Sequence, residues 1–136
     1  MLVEIPRTAA NPDIPQITDE EALAAARAVI RLFEKWGLND AVAREILGGL
    51  SARTYARWKA GDHGRIDRDL ATRLSLLMGI HKGLRILFTD AERGYAWVRK
   101  PNDIFGGRTP VEIMAEGSMF SLARIRSYLD AERGGW

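Results

Sequence analysis

Apolar side chains recur at helical spacing through most of the chain. Leu23, Ala26, Val29, Ile30 and Phe33 share one stripe, and Arg27, Arg31, Glu34 and Lys35 lie opposite, the pattern of a helix with one buried side. Thr18 precedes this helix and Glu21 follows three positions on, a capping-box pair; Gly37 ends it. Asn39 is placed to cap a short second helix with Val42, Ile46 and Leu47 on its inner face. Gly48-Gly49 breaks the pattern, and Ser51 is placed to cap a third helix that runs to Gly61. A fourth begins near Asp67 with Leu70, Leu74 and Leu77 on one side. The Met78-Gly79-Ile80 step predicts a further helical stretch starting near His81 and carrying Leu84, Leu87 and Phe88.

The second half continues in the same way. Asp90 can cap a turn or two through Tyr95 and Val98, and Pro101-Asn102 with Gly106-Gly107 marks a loop. Thr109-Pro110 reads as an N-cap followed by a first-turn proline. Gly117 interrupts, Ser118 can cap again, and Leu122, Ile125 and Leu129 form the last stripe before Gly134-Gly135-Trp136. Nothing alternates with period two over a useful length, so the expected fold is all-α. Pro6, Pro12 and Pro15 make residues 1–17 an expected extended or flexible arm.

Composition narrows the chemistry. A chain of 136 residues, 46% hydrophobic, suffices for one domain, or two very small ones sharing a core, with little room for a deep cleft. The formal charge is only +2, from 20 basic and 18 acidic residues, so local clustering matters more than the total. Residues 44–73 carry Arg44, Arg53, Arg57, Lys59, Arg65, Arg68 and Arg73 against Glu45, Asp62, Asp67 and Asp69. That excess is a modest footprint for a phosphate backbone, or simply a solvated surface. The absence of cysteine excludes disulfides, thiolate metal sites and cysteine catalysis. No secretory signal pattern and no apolar run of membrane-spanning length are visible, so the cytoplasm is the expected compartment.

The stretch from Gly49 to Trp58 has the form of the turn and second helix of a helix-turn-helix. Tyr55 and Trp58 lie three apart and should face inward. Arg53, Ala56, Arg57 and Ala60 then share the outward face, with Ser51 and Ala52 at its leading end; Ser51, Ala52, Arg53, Thr54 and Arg57 are the candidate DNA contacts. Arginine there can take guanine by its major-groove edge, and alanines permit close approach. An ordinary surface helix of a bundle would have much the same pattern. One position departs from the motif: the residue before the turn glycine is usually apolar, but here it is Gly48, and Leu47 sits one place early.

Taken together, residues 18–136 resemble the Xre/MbcA/ParS antitoxin family. The first part of the resemblance is Leu50-Ser51-x-Arg53-Thr54-x-x-Arg57-Trp58. The second is Trp97, then Pro101-Asn102, then Phe105-Gly106-Gly107-Arg108-Thr109-Pro110 and Val111-Glu112-Ile113-Met114. The resemblance implies an Xre-like helix-turn-helix domain over 18–88 and a small helical toxin-binding domain over 89–136. It also implies a cognate toxin with a RES domain that uses NAD, degrading it or transferring ADP-ribose from it. The antitoxin of such a pair has no active site and no cofactor of its own; it covers the toxin's NAD cleft, often with its extreme C-terminus, and the complex represses its own promoter by binding operator DNA. On that basis Arg108, Arg124, Tyr128, Glu132, Arg133, Gly134, Gly135 and Trp136 are the expected toxin contacts, and a homodimer is expected on DNA. From the residues alone, the Asn-x-x-Phe-Gly-Gly-x-Thr-Pro run is equally a tight interhelical turn, and Trp136 could equally fold back on its own domain. His63 and His81 have no partner at motif spacing, and no catalytic or metal site is visible. The competing reading is a stand-alone helix-turn-helix regulator whose second half only dimerises.

Overall fold

The computed structural model describes residues 17–134. Among them the chain forms seven α-helices: α1 (Asp19–Lys35), α2 (Asp40–Ile46), α3 (Ala52–Lys59), α4 (Arg68–Leu87), α5 (Ala91–Trp97), α6 (Pro110–Met114) and α7 (Met119–Glu132), with one 3₁₀ turn at Asp103–Phe105 and no strand. Residues 1–16 of the expected N-terminal arm, together with Gly135 and Trp136, lie outside the described residues.

Local chemistry accounts for where the helices start. The Thr18 hydroxyl accepts from the Glu21 amide at 3.1 Å, while the Glu21 carboxylate accepts from the Thr18 amide at 3.0 Å. The same reciprocal box joins Thr109 and Glu112. Asn39, Ser51, Asp67, Asp90 and Ser118 cap the other five helices, each satisfying an amide that has no partner within the first turn.

Packing decides the rest. The helix α4 is buried on more than one side, through Leu70, Leu74, Leu77 and Leu84 and also through Leu76, Ile80 and Gly83. It packs most extensively on α7 and next on α1, so one continuous core joins the two halves of the chain. The break expected at Met78-Gly79-Ile80 is absent. Gly79 stays helical, and a methyl there would meet the Arg126 side chain at 2.7 Å; a methyl at Gly83 would meet Leu129 Cβ at 3.2 Å. These glycines permit close approach of α7 instead of ending a helix. His81 therefore lies in the middle of α4, not at a helix start. Trp36, which caps α1 at its C-terminal end, is wholly buried and packs on Phe33 with ring centroids 5.8 Å apart.

Candidate functional site

The short helix α3 could not hold itself together in water; its inward residues hold it. Tyr55 and Trp58 are buried, and Ala52, Arg53, Ala56 and Arg57 are exposed, with Thr54 half-buried. This is the division of faces expected from the sequence. Ser51 Oγ accepts from the Thr54 amide at 3.1 Å and lies 3.0 Å from the Thr54 hydroxyl. No acidic residue occupies the first turn of α3, so its positive dipole end is left open to a phosphate.

The turn into α3 is clasped from both sides. Gly48 and Gly49 both take left-handed backbone, at φ +89° and +88°, a region that favours glycine. The Arg44 carbonyl accepts from the amides of Gly49 at 2.8 Å and Leu50 at 3.3 Å. The Arg44 side chain in turn donates Nε to the Leu50 carbonyl at 2.7 Å. Leu47 is buried, so the apolar plug of the turn sits one place early while Ser51 keeps its capping position.

The positive excess of this region shrinks in three dimensions. Arg44 is committed to the turn, and Arg73 is buried with its Nε 2.9 Å from Asp69. Lys59 pairs with Asp40 at 2.9 Å, and Arg57 pairs with Asp62 at 3.3 Å. The last two pairs are well exposed, and pairs of that kind contribute only about 0–1 kcal/mol and exchange readily for a phosphate. His63, in the loop between α3 and α4, is buried edge-on against Trp58 at 5.4 Å; burial, aided by Arg27, holds its imidazole below the usual pKa.

The second group of residues gathers on α7 and the loop before α6. Trp97 stacks on Tyr128 at 6.0 Å and 9°, and Phe105 meets both rings edge-on, at 6.4 and 5.5 Å. The Arg124 guanidinium covers Phe105 at 5.2 Å, a cation–π arrangement. The Phe105-Gly106-Gly107 run is a compact turn: Asn102 and Arg108 form an antiparallel bridge, Asn102 Oδ1 accepts from the Ile104 amide at 3.0 Å, and Gly106 and Gly107 are left-handed. Arg108 is exposed but engaged, with Nη1 2.7 Å from Glu116 and Nη2 donating to the Glu112 carbonyl at 3.3 Å. That contact, with the Ser121 hydroxyl, lowers the Glu116 pKa.

Of the expected toxin contacts, Arg108, Arg124, Glu132 and Gly134 are exposed. Tyr128 is half-buried in the aromatic cluster, and Arg133 is half-buried with Nη2 3.3 Å from Asp130. Gly135 and Trp136 fall outside the described residues. Sequence reasoning missed three exposed large apolar residues: Phe120, 85% exposed, and Ile104, 57% exposed, in the second half, and Ile86 on α4. Phe120 lies one turn before Arg124 and two positions before Leu122. That offset from the buried stripe is about half a helical turn, a signal that could have identified Phe120 as outward.

A capped, outward-facing helix after a tight glycine turn, followed by a second helical unit with an exposed aromatic, defines a helix-turn-helix protein with an added interaction domain. Residues 15–79 match the model of the antitoxin Xre-like helix-turn-helix domain, and residues 83–135 match the antitoxin Xre/MbcA/ParS C-terminal toxin-binding domain. The chain belongs to the Xre/MbcA/ParS family of antitoxins. It is also 38% identical over 112 residues to y4oB of Sinorhizobium fredii, described as an uncharacterized protein, covering 82% of this chain and 86% of that one.

Proposed function

We propose that this antitoxin neutralises a RES-domain toxin by excluding NAD from its cleft, and that it represses its own operon through α3. The observation that carries this reading is the coupling of a helix-turn-helix segment and a toxin-binding segment in one chain. Ser51, Ala52, Arg53, Thr54 and Arg57 are the proposed DNA contacts, arginine being the side chain best suited to guanine and phosphate. The division of labour falls at residues 88/89, between a DNA-facing first part and a toxin-facing second part. Neither part supplies an active site; the chain acts by binding.

On the toxin side, we assign contact to Phe120, Ile104, Arg124 and the C-terminal residues Glu132 to Trp136, with Arg108 and Tyr128 bordering them. A phenylalanine as exposed as Phe120 favours a covered surface. The family resemblance supports entry of the Glu132 to Trp136 segment into the NAD cleft, where the Trp136 indole suits a site shaped for flat rings. Like the DNA it would bind, the complex belongs in the cytoplasm; among the described residues no helix is long and apolar enough to cross a membrane. Deleting residues 134–136, then measuring complex formation and NAD consumption separately, tests the plug. The expected result is a complex that still forms but leaves NAD consumption uninhibited. Full inhibition at equal occupancy would show that a broader surface does the blocking.

A further inference from the structure

Gly48 is where the sequence departs from the helix-turn-helix pattern, and the structure shows what takes the missing side chain's place. A methyl at Gly48 would lie 2.8 Å from Arg73 Nε, 2.9 Å from Cζ and 3.3 Å from Nη2. The guanidinium is thus laid flat against the bare backbone of the turn. It reaches there from the second turn of α4 and is anchored by its Nε to Asp69 at 2.9 Å. The Arg73 side chain is only 10% exposed, and its Nη1 is buried with no acceptor among the described residues.

We propose that Arg73 is a positioning residue for the DNA interface, its guanidinium a rigid plate that sets the turn and so the aim of α3. This rests on the reading of α3 as the DNA-facing helix. Stability alone does not account for the arrangement, because a buried guanidinium with one carboxylate is poorly compensated for its lost water. Its shape does. A planar, five-donor group fixed at one edge offers a flat face at a defined distance, whereas an aliphatic side chain would not. Gly48 lies three residues before the Ser51 cap, and the two left-handed glycines between α2 and α3 add no side chain to the packing that Leu47 and Leu50 give the turn. The plate covers the glycine side of it. The left-handed backbone at Gly48, φ +89°, itself calls for glycine, and the Arg73 guanidinium fills the space that the absent side chain leaves.

The test uses the full chain and two duplexes, the DNA upstream of its own reading frame and a scrambled sequence of equal length. It also uses amide hydrogen exchange at Gly49 and Leu50. Two variants attack the contact: Arg73→Met keeps the stem, and Arg73→Lys keeps the charge. Both are expected to bind the upstream duplex about tenfold or more weakly, the effect of removing one base-reading side chain, with scrambled-duplex binding unchanged. Exchange at Gly49 and Leu50 should quicken while α7 amides stay as protected as before. Wild-type behaviour of Arg73→Lys would mean that charge, not the plate, matters, and would overturn the proposal. So would unchanged exchange at Gly49 and Leu50, or loss of the whole fold in every variant. If the wild type discriminates neither duplex, the DNA-facing reading of α3 fails, while the exchange measurement still decides whether Arg73 positions the turn.

Discussion

Arg53 and Arg57 share the outward face of α3 but sit in different surroundings. Arg57 lies 3.3 Å from Asp62, whereas no ion pair to a described residue engages Arg53. Replacing both by alanine is expected to weaken operator binding by about 1–3 kcal/mol for each base-reading arginine removed, with toxin neutralisation unchanged. An operator titration that gave wild-type affinity would remove both from the interface. Tyr55 gives a second expectation at this scale. Burial first, then the charges of Asp40 and Glu34, push its phenol up to about 12. The unfolded chain ionises near pH 10, so the folded state binds the proton more tightly. Its contribution is full below about pH 10 and is lost as pH rises toward 12. The denaturant midpoint should fall more steeply across that window in the wild type than in Tyr55→Phe; parallel profiles would contradict the burial argument. Caps such as Thr18 and Ser51 were legible in the sequence because a cap and its amide lie within three residues. The burial of Arg73 was not, because it depends on how α4 meets the turn; nor was the Arg44 clasp, because it depends on the left-handed path of Gly48 and Gly49.

At the scale of elements, the glycines of α4 are the instructive case. Gly79 reads as a breaker in one dimension, but α4 runs through it and through Gly83, and α7 lies against both. The two positions should respond differently to alanine. At Gly79 the obstruction is the far end of the Arg126 side chain, which can move, so the gain of about 1 kcal/mol in helix propensity should survive at least in part. At Gly83 the obstruction is Leu129 Cβ, which shifts only with α7; overpacking of about 1–3 kcal/mol should exceed that gain. Urea unfolding of the two variants decides the matter, and a Gly83→Ala protein more stable than Gly79→Ala would show that α7 yields. The stripe Leu122, Ile125, Leu129 was legible from spacing alone. Trp36 was not, since it lies past the end of the periodic run and is buried by the fold around it.

Across the whole molecule, one core carries the helix-turn-helix segment and the toxin-binding segment. The helix α4 packs on α1 in the first half and on α7 in the second, so neither face is an independent appendage. All-helical architecture and the order of the two segments were readable from the sequence; the extent of their shared core was not, because α4 was expected to break. One small module offers few phosphate contacts, and a two-fold dimer would double them on a palindromic site. We therefore expect a homodimer, paired through the more apolar second half; light scattering that finds only monomer, with and without toxin, would contradict it. If toxin silencing through the second half and DNA reading through α3 are separable acts, co-expression with a RES-domain toxin encoded beside the gene, scored by growth, will show it. The wild type and the Arg53→Ala, Arg57→Ala double variant are expected to restore growth equally, while Phe120→Asp is expected not to. Failure of the wild type to restore growth, or rescue that disappears with the two arginines, would contradict that separation.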